Sequence, residues 1–246
     1  MQLDHAEWLG ALGITEQEIP RLVVVENSWW RAARTPARLR RLTDVRETRF
    51  PEMWWGRYEG QPVLYCCGWG APRVVEPIHV GGELGAPTVV ALGGCGGLQP
   101  GVRRGDVVVA LSATIGEGTS QYYGGHGTST GDPSLVDAAE AALRKRDLRT
   151  HGGRLVTTSA LLAQPRQLVQ SWYGAGHVAV DMGSSAIFSA ATFYGMRAAS
   201  LLVVSEEVMI GRGFLGETSE GERAAEEAAT EAVMDVALEI GFSEGE

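Results

Sequence analysis

Short β-branched apolar runs alternate along this chain with longer amphipathic segments. The runs RLVVVE (21–26), TVVALG (88–93), DVVVALS (106–112), RLVTTS (154–159), HVAVDM (177–182) and RAASLLVVSEE (197–207) predict strands. Continuous apolar character of this kind suits strands buried on both faces. EMWWGRYEG and QPVLYCCGWG predict two more strands, joined by a tight turn at Glu59-Gly60. Helical patterns cover 30–42, where Pro36 disturbs the period, then 133–147, with Pro133 near its start and basic residues in its last turn. A third, of small and apolar residues, covers 184–195 and ends at Gly195. The last is the most regular. Ser219 and Glu222 have capping-box spacing, Ala225, Ala229, Val233, Val236 and Ile240 recur every three to four residues, and Gly241 closes the pattern. Strands alternating with helices predict an α/β fold around a mixed central sheet. No internal repeat or linker divides residues 1–246, so a single domain is expected. GGHGTSTGDP (124–133) is the one flexible-looking stretch, an ordinary loop or a lid over a site.

Composition narrows the function classes. A chain of 246 residues, 44% hydrophobic, builds one substantial core. Its net charge of −9 argues against nucleic acid or an anionic membrane as partner, since both require a basic face. Arg31, Arg34, Arg38, Arg40 and Arg41 form a local basic cluster whose spacing fits the solvated face of a helix better than a polyanion site. The start of the chain lacks the basic and apolar regions of a signal peptide. The uncharged stretch 182–196 is too short to span a bilayer. A soluble cytoplasmic protein is expected. Cys66, Cys67 and Cys95 read as reduced thiols, and neither they nor the histidines have metal-ligand spacing, so no metal is predicted.

Three places can carry chemistry. Gly68-Trp69-Gly70 and Gly93-Gly94-Cys95-Gly96-Gly97 follow strands, where ligands of α/β sheets sit; tight turns explain the same glycines equally well. Glu206 and Glu207 end an apolar strand. A carboxyl half removed from water there is a general acid, whereas one that simply leaves the sheet is not, and Glu207 fits the second description better. Asp181 ends a strand just before a helix and, from local sequence, reads first as that helix's cap. The tryptophan pairs Trp29-Trp30 and Trp54-Trp55 suit core packing or a subunit interface better than a flat ligand's pocket.

In order along the chain, GALGITEQEIPRLVVVENSWWR, EGQPVLYCCGWGAP, ALGGCGGLQPGVRRGDVVVALSATIGEGTS and VAVDMGSSAIFSAATFYGMRAASLLVVSEE resemble the nucleoside phosphorylase and nucleosidase family of the uridine phosphorylase and hexameric purine nucleoside phosphorylase type. The third segment is the most specific. The resemblance implies a three-layer α/β/α subunit with a twisted mixed sheet, homo-oligomers built as dimers or trimers of dimers, and cleavage of an N-glycosidic bond by phosphate or by water. It implies no cofactor, with phosphate as co-substrate in the phosphorolytic case. Arg31 matches the phosphate-loop arginine, while Asn27 stands for that loop's glycine. Arg49 matches an arginine lent by the neighbouring subunit. Ala91 and Gly94 replace the family's arginine and hydroxyl phosphate ligands. Gly70, Gly93 and Gly94 belong to the substrate cradle. Asp181-Met182-Gly183 stands for the family's Glu-Met-Glu: Met182 keeps the sugar contact, Gly183 replaces the ribose-binding glutamate, and Asp181 is its nearest carboxylate. Ala11 replaces a histidine lent by the neighbour. Glu206 matches the acid that protonates a leaving purine, and Glu26 lies near the position of a water-activating base. Losing a bidentate guanidinium removes the strongest type of phosphate contact, so hydrolysis is expected over phosphorolysis. A divergent small-molecule binder, or a phosphorylase with a reduced phosphate site, are the alternatives.

Overall fold

The computed structural model describes residues 3–211 and 216–243. Helix α1 (His5–Leu12) precedes strand β1 (Leu22–Asn27), α2 (Arg31–Leu39), β2 (Thr43–Glu47), β3 (Met53–Tyr58), β4 (Gln61–Gly68) and α3 (Ala71–Glu83). The second half runs β5 (Thr88–Gly97), β6 (Val107–Gly116), β7 (Thr128–Thr130), α4 (Pro133–Arg144), β8 (Thr150–Thr158), α5 (Arg166–Gly174), β9 (Ala179–Asp181), α6 (Ser184–Phe193), β10 (Arg197–Glu207) and α7 (Glu220–Ile240).

All ten strands form one mixed sheet. Alternation along β1 shows why it has helices on both faces. Val23 and Val25 join a core with α1, α3 and α6, while Leu22 and Val24 join a second core with α4 and α7. The order β2-β3-β4-β1-β5 makes an open half. Beyond β5 the sheet curls: β5 pairs with both β10 and β9, and β10-β6-β8-β9 completes a closed ring.

The glycines after Leu92 do not end a strand as their composition predicts. β5 continues through Gly93–Gly97, because β10 pairs along that whole length and β9 pairs at Gly96 and Gly97. Stretch 124–133 is not a lid. It supplies β7, which pairs with β6; Ser129 donates to the Ser185 carbonyl, and Asp132 caps α4. The turn at Glu59-Gly60 forms as expected, with both residues at positive φ. Among the described residues no helix is long and apolar enough to cross a membrane, and no acidic, His or Cys cluster could hold a metal.

Candidate active site

The carboxyl ends of β1, β5 and β10 open onto one pocket, roofed by α2 and α7 and flanked by the start of α6. Main-chain glycines of β5, Gly93 and Gly94 among them, form its floor. A bulge in β10 between Val204 and Glu206 breaks the register against β5 and turns Ser205 and Glu206 into the cavity. Burial pushes the Glu206 carboxyl above its ordinary range, and the Arg104 guanidinium pulls partly the other way.

One wall is charged. α2 turns Arg34 and Arg38 inward, so the arginine cluster is only in part a solvated face: Arg31 and Arg40 are exposed, while Arg38 is buried. Arg38 is 1% exposed and grips Glu26 in bidentate fashion, Nε to Oε2 at 2.8 Å and Nη2 to Oε1 at 2.9 Å. The Tyr65 hydroxyl donates to the same Oε2 at 2.9 Å, and Arg34 Nε lies 3.7 Å from Oε1. Burial would lower the Arg38 pKa, but its bonds to Glu26 outweigh that and hold it raised. Burial, then the Glu26 charge, pushes the Tyr65 phenol well up. Glu26 thus serves as the counter-ion of Arg38, with both oxygens engaged, and is a poor base for activating water. Deeper along the wall Arg104 pairs with Glu226 of α7 at 3.0 Å, while Arg41 pairs with Glu231 and Asp235.

The opposite wall is neutral at its surface. Asn27, at the end of β1, accepts from the Gly70 N–H through Oδ1 at 2.9 Å. Gly70 holds φ +78°, a backbone shape that glycine adopts freely. Next to Asn27 begins α6, whose first turn is capped by Asp181. Its Oδ2 accepts from Gly183 N–H, Ser184 N–H and Ser184 Oγ at 3.1, 2.8 and 2.7 Å, and Oδ1 accepts from Thr157 Oγ1 at 2.6 Å. Burial raises the Asp181 pKa and these donors oppose the rise. The cap suggested by local sequence is what this carboxylate does.

A sequence profile of the phosphorylase superfamily matches residues 21–239. The chain belongs to that superfamily. A guanosine phosphorylase of Halorubrum lacusprofundi is 28% identical over 160 residues, which span 63% of this chain and 65% of that protein, just under two thirds of its length. A DeoD-type purine nucleoside phosphorylase of Geobacillus kaustophilus is 28% identical over 196 residues, 77% of this chain and 79% of its own. A crystal structure of uridine phosphorylase from Vibrio fischeri ES114 superimposes with a TM-score of 0.79 at 21% identity, covering 92% of this chain and 93% of that one, which shows the shared fold.

Within this superfamily member the expected site residues divide. Glu206, Gly93, Gly94, Asp181 and Met182 line the pocket. Gly70 and Gly183 stand behind it as neighbours of Asn27. Arg31 does not line it: Nη1 pairs with Glu52 at 2.5 Å on the outer surface. Arg49 is exposed elsewhere and donates to the Gly10 carbonyl. Ala91 is buried in the core between α1, α3 and α6, and Ala11 packs at its margin. Residues that sequence reasoning did not place here are Arg34, Arg38, Arg104, Gln164 and Glu226, with Trp29 and Trp69 in tilted contact at the mouth, ring centres 4.3 Å apart. The spacing of Arg34 and Arg38 by four was the available signal. It marks one helical face, and that face turned inward.

Proposed function

We propose that this protein cleaves the N-glycosidic bond of a nucleoside or nucleoside-like small molecule, with water rather than phosphate as the acceptor. The observation that carries the reading is Glu206. It projects from a strand bulge into the pocket, with a carboxyl that burial holds toward its protonated form. As the C–N bond lengthens, the sugar gains oxocarbenium character and Glu206 gives its proton to the leaving heterocycle. Water then adds to the anomeric carbon, releasing a proton and leaving free base and free sugar. Met182 and the β5 glycines shape the space.

Water is favoured over phosphate because the two most buried guanidiniums at the pocket already face carboxylates. Arg38 is paired with Glu26 and Arg104 with Glu226, Arg34 stands 3.7 Å from the same Glu26, and Gly94 offers neither charge nor hydroxyl. A dianion would have to compete with the buried Glu26 for Arg38 and with the partly buried Glu226 for Arg104. A second reading, binding or conversion of a different small molecule without glycosidic cleavage, is favoured by Asp181: both its oxygens are engaged at α6, so that wall offers no carboxylate to a sugar diol. A cytoplasmic homo-oligomer, a dimer or trimer of dimers, completes the proposal. Exposed Tyr122 and Phe193 beside Trp8 and Tyr194 supply an apolar face for it.

The test is incubation with adenosine, guanosine, inosine and uridine, with and without phosphate, and mass spectrometry of the products. Free base and free sugar without phosphate are expected. Sugar phosphate formed only with phosphate restores phosphorolysis, and no free base at all sustains the second reading. Glu206→Gln lowers kcat about 100-fold or more. Activity needs the protonated acid, so it falls as pH rises through the raised pKa, and the variant loses that alkaline limb. The stability sign is the same. The folded state holds this proton more tightly than the unfolded chain, so the contribution is complete below the unfolded carboxyl range and declines as pH rises through the folded pKa.

A further inference from the structure

Three glycines from three separate segments pack around one side chain. A Cβ on Gly183 would lie 2.6 Å from Asn27 Nδ2 and 3.3 Å from a Val74 methyl. A Cβ on Gly93 would lie 3.0 Å from the main-chain oxygen of Asn27 and 3.4 Å from its Cβ. Gly70 gives its N–H to Asn27 Oδ1. That bond also fixes which way the carboxamide faces, because a flipped amide would set Nδ2 against the Gly70 N–H. Asn27 is 5% exposed and lines the pocket, and its side chain is engaged among the described residues through Oδ1, which leaves Nδ2 for the cavity. Two further donors at the pocket, Gln164 Nε2 and Arg38 Nη1, are buried without a hydrogen-bond partner among the described residues. Buried amide donors are normally satisfied, and one left open at a cavity wall is satisfied by what enters the cavity.

We propose that Asn27 is the specificity-determining residue of this pocket: its Nδ2 donates to an uncharged oxygen acceptor of the ligand, a sugar hydroxyl or ring ether, and its bulk requires glycine at position 183. This deepens the glycosidic reading, because it states how the sugar is held on a wall that has no free carboxylate. A single amide donor holds a neutral oxygen well and does not balance a phosphate dianion. The same geometry accounts for Gly183. A side chain there displaces the carboxamide from its bond to Gly70, so residues 27 and 183 change only together.

Ribose and inorganic phosphate serve as probes in thermal-shift titrations of the wild type and Asn27→Asp. The aspartate keeps the shape and the acceptor for Gly70 but turns the donor into an acceptor. Ribose is expected to stabilise the wild type, with apparent affinity at least tenfold weaker in the variant, and phosphate to stabilise neither. Ribose acting equally on both proteins, or on neither, overturns the donor role, as does phosphate acting on the wild type alone. A stability cycle tests the coupling. Gly183→Ala is expected to lower Tm by about 3 °C or more, and in the Asn27→Ala background by markedly less. Additive shifts overturn it. These readouts need no turnover, so a wild type that binds ribose through Asn27 but cleaves no nucleoside defeats the glycosidic reading alone.

Discussion

The charged wall between α2 and α7 and the neutral wall around Asn27 handle polarity in opposite ways. On the first, Arg38 and Arg104 are each closed by a carboxylate, Glu26 and Glu226, before any ligand arrives. On the second, Asp181 is closed inside the protein while the Asn27 amide keeps a donor for the cavity. The arginine-rich side therefore supplies rigidity, and the side without surface charge supplies recognition. Counting cations around a pocket overstates its appetite for anions when those cations already face carboxylates, because displacing a partner costs what the pair gained.

Breaking the charged wall tests this most severely. Arg38→Met leaves the buried Glu26 carboxylate with only the Tyr65 hydroxyl and Arg34 at 3.7 Å, and urea denaturation is expected to show a loss of about 3 kcal/mol. Removing both charges together in Glu26→Gln/Arg38→Met recovers most of it. A small loss in the single variant would mean that Glu26 reaches water and is available as a base after all. On the neutral wall, Asp181→Ala removes the cap of α6 and leaves Thr157 and Ser184 without their acceptor. The expected cost is about 2 kcal/mol, with hydrogen exchange accelerated first at the amides of Gly183 and Ser184. Unchanged exchange there would show that the carboxylate is free to meet a ligand. The smallest effect belongs to the outer end of the charged wall. Arg41 pairs with Glu231 and Asp235 while still partly in water, so Arg41→Ala should cost under about 1 kcal/mol, and less in high salt.

Patterning made much of the fold legible. The β-branched runs became β1, β5, β6 and β10, and the capping box of Ser219 and Glu222 is present in α7. What escaped did so for physical reasons. α3 carries Pro72, Pro77 and paired glycines, which local propensity reads as loop. Pro72 sits in the first turn, where no N–H is needed, and Gly82 leaves space for the Tyr194 ring. β2 is short, polar and at the sheet edge, so it has no apolar period to detect. In the site, Glu206 and Asp181 were legible from their positions at strand ends. Arg38 was not. Its partner Glu26 lies twelve residues back in the chain, and only the fold of α2 over β1 turns a surface-like charge run into a buried pair. The glycines drew notice as a ligand cradle, yet three of them answer to an asparagine side chain, a contact that no spacing reveals.

The ring that β5, β10, β6, β8 and β9 close upon themselves has a consequence for how these molecules behave in a crowded solution. A sheet invites a stranger's strand only where its ladder is unpaired. Here the open side ends at β2, five residues carrying Asp44, Arg46 and Glu47, and the other unpaired margin is β7, three residues of threonine and serine. Neither is the long, flat, apolar template on which chains stack into fibrils. The strands richest in valine and leucine are sealed within the ring or between neighbours, so the segments most prone to cross-chain pairing become available only when the domain unfolds.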